Sequence, residues 1–186
     1  MKKILSVSLL FYFLFIFNSI ASIKDKLIEN LENTQNISFD FKQNINDKFD
    51  TGKCIIEYPK KIYCEYNNSR RKILVSNGKY LVIKNRSSNQ YYIYPIEKTA
   101  LNLILNKNFL LKKIKKSKES LIDEKYYLFK FLENNNRINI FFDRQTLDLT
   151  GWQNEDIYQN LVITYIFNIK KNKQIKKDQF KLPKQN

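Results

Sequence analysis

From Ile37 to Ile45 the chain alternates apolar and polar residues, the period-two signature of a β-strand with one buried face. Ile37, Phe39, Phe41 and Ile45 fall on one side, and Ser38, Asp40, Lys42 and Asn44 on the other. Gln43 shares the apolar parity, so its amide is expected to hydrogen-bond a neighbouring backbone group. The texture continues in short segments divided by Gly, Asn or Pro, at 52–58, 61–66, 72–76, 79–84, 90–94, 111–118, 125–132, 137–143, 148–153 and 159–169. With the opening strand these make about eleven, in the even spacing of an antiparallel meander. No linker-like stretch divides them, which predicts one domain.

Two stretches depart from that period. Ile23, Leu27 and Leu31 recur every fourth residue with Ile28 beside them, predicting an amphipathic helix over 22–32 that is too short to stand alone. Thr99 to Leu105 has helix-compatible apolar spacing, with Thr99 available as its N-cap. A large sheet must cover its apolar face, and if it curls without closing, the helices can roof its concave side. The prediction is a mainly β protein with a few short α-helices. The space between such a roof and the sheet would be lined by hydrocarbon.

Parity nominates the walls. Cys54, Ile56 and Tyr58 share a face, as do Ile62, Cys64 and Tyr66, then Ile138, Ile140 and Phe142, and finally Leu161, Ile163, Tyr165 and Phe167. The expected cavity residues are Phe39, Phe41, Ile56, Tyr58, Ile62, Tyr66, Leu101, Ile104, Leu105, Ile140 and Phe142; the alternative for each is a place in a well-filled core. Cys54 and Cys64 flank the loop Tyr58-Pro59-Lys60 and face each other across the predicted hairpin, close enough for a disulfide. The alternative is a pair of buried thiols filling core volume.

Ahead of the first helix, Lys2 and Lys3 precede an apolar run from Ile4 to Phe17, and Ser19-Ile20-Ala21 supplies small residues before a cut. This reads as a signal peptide over 1–21, cleaved after Ala21, leaving a domain over 22–186. The segment has no cysteine to carry a lipid, so the exported product is expected to be soluble.

Charge widens the choice of partners. The chain carries 33 Lys and Arg against 18 Asp and Glu, a formal net charge of +15. Such a balance favours anionic surfaces, although the abundance of Lys, Asn, Ile, Phe and Tyr together also fits compositional drift. Lys112, Lys113, Lys115, Lys116 and Lys118 cluster mid-chain, and seven more lysines lie between Lys170 and Lys184. Catalytic chemistry is sparse. The chain has no histidine, which removes histidine-based nucleophilic catalysis and histidine-ligated zinc, and only three glycines, too few for a phosphate-cradling loop. The acid pairs Asp123-Glu124 and Glu155-Asp156 sit at predicted turns. Neither an enzyme nor a metal or cofactor is expected.

Several motifs, in order, resemble the periplasmic outer-membrane lipoprotein carrier family of the LolA type. Phe41-Lys42-Gln43 is similar to its F-x-Q, and Gly52 and Pro59 to the glycine and hairpin proline that follow. Tyr66 is similar to the aromatic before the next turn, and Leu74-Val75-Ser76-Asn77-Gly78-Lys79 to an L-V-S-D-G-K hairpin. Tyr94-Pro95, Thr99-Ala100-Leu101 with Leu105, and Asp178, Phe180, Leu182 and Pro183 resemble the family's T-P-L helix and its closing F-x-x-P strand. In two places the match departs: Tyr58 stands where the family carries an arginine that latches the lid, and Ala100 replaces the helix proline.

The resemblance implies an incomplete, open antiparallel β-barrel of about eleven strands with a helical lid over a hydrophobic cavity, working as a monomeric periplasmic carrier that takes up the acyl chains of lipoproteins. They would come from an inner-membrane ABC transporter and pass to an outer-membrane acceptor or membrane surface, with no nucleic acid partner. Two other readings stay open on the sequence. One is a basic envelope module that binds anionic glycolipid or polysaccharide through its lysines, and the other a lipid- or lipoprotein-sensing regulatory domain of the same fold.

Overall fold

The first alternating stretch forms β1 (Asn36–Ile45), and hairpins build the sheet outward from it. The computed structural model describes residues 22–185 except 69, 89, 134, 135 and 157; the expected signal segment lies outside the described residues. After α1 (Ile23–Glu32) and β1 come β2 (Lys48–Glu57), β3 (Lys61–Tyr66), β4 (Lys72–Asn77), β5 (Tyr80–Asn85) and β6 (Tyr91–Pro95). A 3-10 turn (Ile96–Lys98), α2 (Leu101–Ile104) and α3 (Lys107–Lys116) follow. The chain then forms β7 (Ser120–Ile122), β8 (Tyr126–Glu133), β9 (Asn136–Asp143), β10 (Leu149–Glu155) and β11 (Leu161–Lys171).

All neighbours pair antiparallel in one sheet ordered β6-β5-β4-β3-β2-β1-β11-β10-β9-β8-β7. Strands β6 and β7 lie at opposite ends of that order, so the barrel is open. Local chemistry sets the hairpins. Asn46 and Asp47 both adopt positive φ between β1 and β2, the backbone of a two-residue hairpin turn, so β2 begins at Lys48 rather than at Gly52. Between β4 and β5, Gly78 has φ +95°, and Asn77 Oδ1 accepts from the Lys79 and Tyr80 N–H groups at 3.0 Å.

Four expectations need correction. The segment 111–118 is not a strand: most of it belongs to α3, in which Leu110 and Ile114, four residues apart, are both fully buried. Asn106 caps that helix by accepting from the Phe109 N–H at 3.1 Å, and Lys113, Lys115 and Lys116 in its last turn complement the helix dipole. The short β7 makes up the strand count. Thr99 does not cap α2; its hydroxyl donates to the Ile96 carbonyl at 2.7 Å and closes the preceding 3-10 turn.

The last strand is turned over relative to expectation. Val162, Thr164 and Ile166 face the core, whereas Leu161, Tyr165 and Phe167 are about half exposed on the convex side. Register explains this: Thr164 lies opposite Gln43, and Tyr165 opposite the outward Lys42. Finally, no strand forms over 178–183. The tail instead leaves β11 through Asn172, whose N–H donates to the Asn36 carbonyl at 2.9 Å. It ends at β5, where Lys84 Nζ donates to the Lys184 carbonyl at 2.8 Å. The tail thus crosses the outer side of β3 to β5, where Ile73, Val75 and Val82 are buried on the face away from the main core.

Cys54 and Cys64 are bonded across the β2–β3 hairpin, with Cα atoms 4.1 Å apart. Closing this short loop limits the unfolded chain, so reduction or a double alanine variant is expected to lower stability by about 3 kcal/mol. Urea denaturation with and without reductant checks this. Coincident unfolding curves would mean that the bond contributes nothing.

Candidate functional site, an apolar core beneath a helical roof

The concave side of the sheet is roofed by α1, α2 and α3, each contributing an apolar stripe. Leu27, Ile28 and Leu31 of α1, Ile104 and Leu105 at α2, and Leu110 and Ile114 of α3 join a single buried cluster with the strands. Nine of the eleven expected cavity residues belong to that cluster and are at most 9% exposed: Phe39, Phe41, Ile56, Tyr58, Ile62, Ile104, Leu105, Ile140 and Phe142. Tyr66 and Leu101 are partly buried and pack against it. Parity did not single out Phe129, Phe131 and Trp152, which lie in the same cluster. Phe129 meets Phe142 edge-on with centroids 5.9 Å apart, and Phe39 meets Trp152 edge-on at 6.3 Å. Where α1 reaches the sheet, a void of about 20 Å³ remains between Leu31, Ile37, Tyr58, Phe142 and Leu149. The helices' own side chains, Leu27, Leu31, Ile104, Leu105, Leu110 and Ile114, are buried against the sheet.

The roof is tied down by side-chain and backbone bonds. Asn30 Nδ2 of α1 donates to the Leu147 carbonyl between β9 and β10 at 2.7 Å, and Lys113 Nζ of α3 donates to Glu133 of β8 at 2.6 Å. In the β2–β3 turn the Lys60 N–H donates to the Leu105 carbonyl at 2.9 Å, a backbone bond from the sheet rim to the end of α2. Ser76 Oγ in turn holds the Lys60 carbonyl at 2.8 Å. At the start of α3, Lys107 Nζ donates to the carbonyls of Glu32 and Thr34 at 2.9 and 3.0 Å, clipping α3 to the end of α1. At the other ends of these antiparallel helices, Lys24 Nζ donates to the Ser117 carbonyl at 2.7 Å.

Tyr58, which stands in the latching position of the resemblance, points into the core at 9% exposure. Burial holds its phenol well above the ordinary range, so it stays protonated and neutral.

The opposite rim is polar. Gln43 does not bond backbone as expected: its Nε2 donates to Thr164 Oγ1 at 3.0 Å, and its Oε1 accepts from the Tyr66 hydroxyl at 3.3 Å. Beside it lies a cleft of about 420 Å³ bordered by Lys48, Asp50, Arg70 and Lys72. Partial burial there opposes ionisation of Asp50, but Lys72 at 2.9 Å outweighs it and holds the carboxyl below its usual range.

The acid pairs have structural work. Asp123 and Glu124 form an exposed turn with positive φ, and Asp156 accepts from the Tyr158 and Asn160 N–H groups at 2.8 and 2.9 Å. Among the described residues no cluster of Cys, Asp or Glu could hold a metal ion, and no helix is long and apolar enough to cross a membrane.

An open sheet wrapped around hydrocarbon and closed by a helical roof defines an incomplete β-barrel. The chain belongs to the LolA family of outer membrane lipoprotein carrier proteins, whose model matches residues 32–183. No curated protein matches the sequence. Among solved structures, an uncharacterized conserved protein from Thermus thermophilus is similar at 8% identity and TM-score 0.53, covering 88% of this chain and 93% of its own. A putative outer membrane lipoprotein-sorting domain from Vibrio parahaemolyticus is similar at 5% identity and TM-score 0.49, covering 86% and 94%. One chain of the MucA/MucB complex of Pseudomonas aeruginosa is similar at 11% identity and TM-score 0.48, covering 88% and 60%. At such identities the likeness speaks to the fold alone, and the first comparison carries that statement.

Proposed function

We propose that this protein is a periplasmic carrier that shields the acyl chains of lipoproteins between the inner and outer membranes. The observation that supports the reading is the continuous apolar core lying directly under a roof of three short helices. Releasing Lys60 from Leu105, Asn30 from Leu147 and Lys113 from Glu133 would let the roof lift, and acyl chains would take the place of Ile104, Leu105, Leu110 and Ile114 against the sheet. Each CH2 transferred from water contributes about 0.8 kcal/mol and each of those four side chains about 1.5–3 kcal/mol when buried, so about ten CH2 groups offset their exposure. A roof that exchanges its own hydrocarbon for the cargo's makes loading and unloading near-balanced, as a carrier requires. An inner-membrane ABC transporter would load it, and an acceptor or the outer-membrane surface would receive the cargo.

The test is binding of a tri-acylated lipopeptide, compared with the same peptide lacking acyl chains, at low and high salt. Binding that needs the chains and persists at about 0.5 M salt is expected, because acyl burial is not screened. Binding that ignores the chains, or vanishes in salt, would overturn the reading in favour of lysine-driven attachment.

A further inference from the structure

Outside the core, the tail and the sheet rim enclose a second space. A cleft of about 630 Å³ lies between the ends of β1, β2 and β4 and the segment 173–181, within the size range of small-ligand sites, about 300–1,000 Å³. Its walls are ordered by specific bonds. The Lys173 N–H donates to Asn36 Oδ1 at 3.0 Å, and the N–H groups of Gln179 and Lys181 close turns onto the carbonyls of Lys176 and Asp178 at 3.0 and 3.1 Å. The floor is partly apolar: Phe180 is 8% exposed, with Ile175 beside it in the lining and Lys61 Nζ 5.8 Å from the Phe180 ring centroid.

Charge is concentrated here without matching countercharge. Lys61, Lys173, Lys176, Lys177 and Lys181 line the cleft, against two acids, Glu57 and Asp178. Glu57 is engaged by Lys61 at 3.4 Å. Among the described residues the ammonium groups of the four tail lysines form no ion pair. Like charges held around one concavity repel, and an anion placed among them relieves that repulsion. All the cations are lysines, which bind phosphate as point charges, and four of them around one concavity suit a group that carries more than one negative charge.

We propose that this cleft binds a phosphate group, held by Lys173, Lys176, Lys177 and Lys181 above the Phe180 side chain. The phosphate is that of a lipid headgroup or a free phosphate ion. The cleft meets the core cluster at Tyr58, but its lysines lie outside that cluster, so the inference stands apart from the carrier reading.

The test titrates the protein calorimetrically at low salt with inorganic phosphate and with dihexanoyl phosphatidic acid below its micelle concentration. Wild type is compared with Lys176→Gln/Lys177→Gln/Lys181→Gln and with Lys112→Gln/Lys116→Gln/Lys118→Gln, which removes equal charge from exposed positions at α3 and just beyond it. The tail variant is expected to lose about tenfold or more in affinity while the α3 variant stays within about twofold. Phosphatidic acid binding more tightly than phosphate assigns the site to a headgroup, and equal binding assigns it to the free ion. Equal losses in both variants, no loss in either, or tighter binding of a glutamate-rich peptide at the same lysines would each overturn the proposal.

Discussion

Gly52→Ala is expected to destabilise the protein by about 3 kcal/mol, near the upper end for overpacking in a well-filled core. A Cβ at this position would run into the backbone carbonyl of Glu65 on β3 and come within 2.7 and 2.8 Å of the Phe41 ring. Neither obstacle can yield easily. The carbonyl is held by the β2–β3 ladder, in which Gly52 lies opposite Tyr66, and Phe41 is 1% exposed with its ring edge-on to Tyr66 at 4.9 Å. The absent side chain is what lets these two rings meet over β2. Chemical denaturation of the alanine variant checks the estimate. A loss below about 1 kcal/mol would mean that β2 and β3 can separate at this point, contrary to the packing described.

Phe142→Ala is expected to cost about 3–5 kcal/mol, through the lost transfer of a ring and the cavity left behind. Phe142 is 1% exposed, stacks edge-on against Phe129 and borders the 20 Å³ void under α1, so truncation would merge ring volume with existing space. If acyl chains enter this core, they fill the new cavity. A tri-acylated lipopeptide should then raise the melting temperature of Phe142→Ala by more than it raises that of wild type. The same shift in both proteins would place the chains elsewhere.

These effects trace back to how differently the parts of the fold could be read. The hairpins around Tyr58-Pro59-Lys60 and Asn77-Gly78 follow from turn chemistry confined to a few residues, and β1 to β3 follow from clean alternation. The inward sets Cys54-Ile56-Tyr58 and Ile138-Ile140-Phe142 were legible because Glu57 and Asn139 mark the wet face, although Ile55 and Phe141 share it. In Leu161-Val162-Ile163-Thr164-Tyr165-Ile166-Phe167 both parities are apolar, so no pattern could say which face is wet. Pairing with β1 decided it, by setting Thr164 against Gln43 and Tyr165 against Lys42. In α3 the ambiguity was of another kind: residues four apart share a face in a strand and in a helix alike, so Leu110 and Ile114 fitted either.

The sequence by itself determined the class of the protein: a basic chain whose period-two segments, turn residues and two helical stretches specify an open antiparallel sheet with a roof. Each of those signals is local, written within a few residues by sterics and hydrogen bonding. Tertiary structure alone decided how the roof is tied, with the Lys60 N–H meeting the Leu105 carbonyl across 45 positions of sequence, and which lysines share one cleft. Backbone donors carry no residue signature, and surface charge leaves no periodicity, so both become visible only when distant segments meet in space.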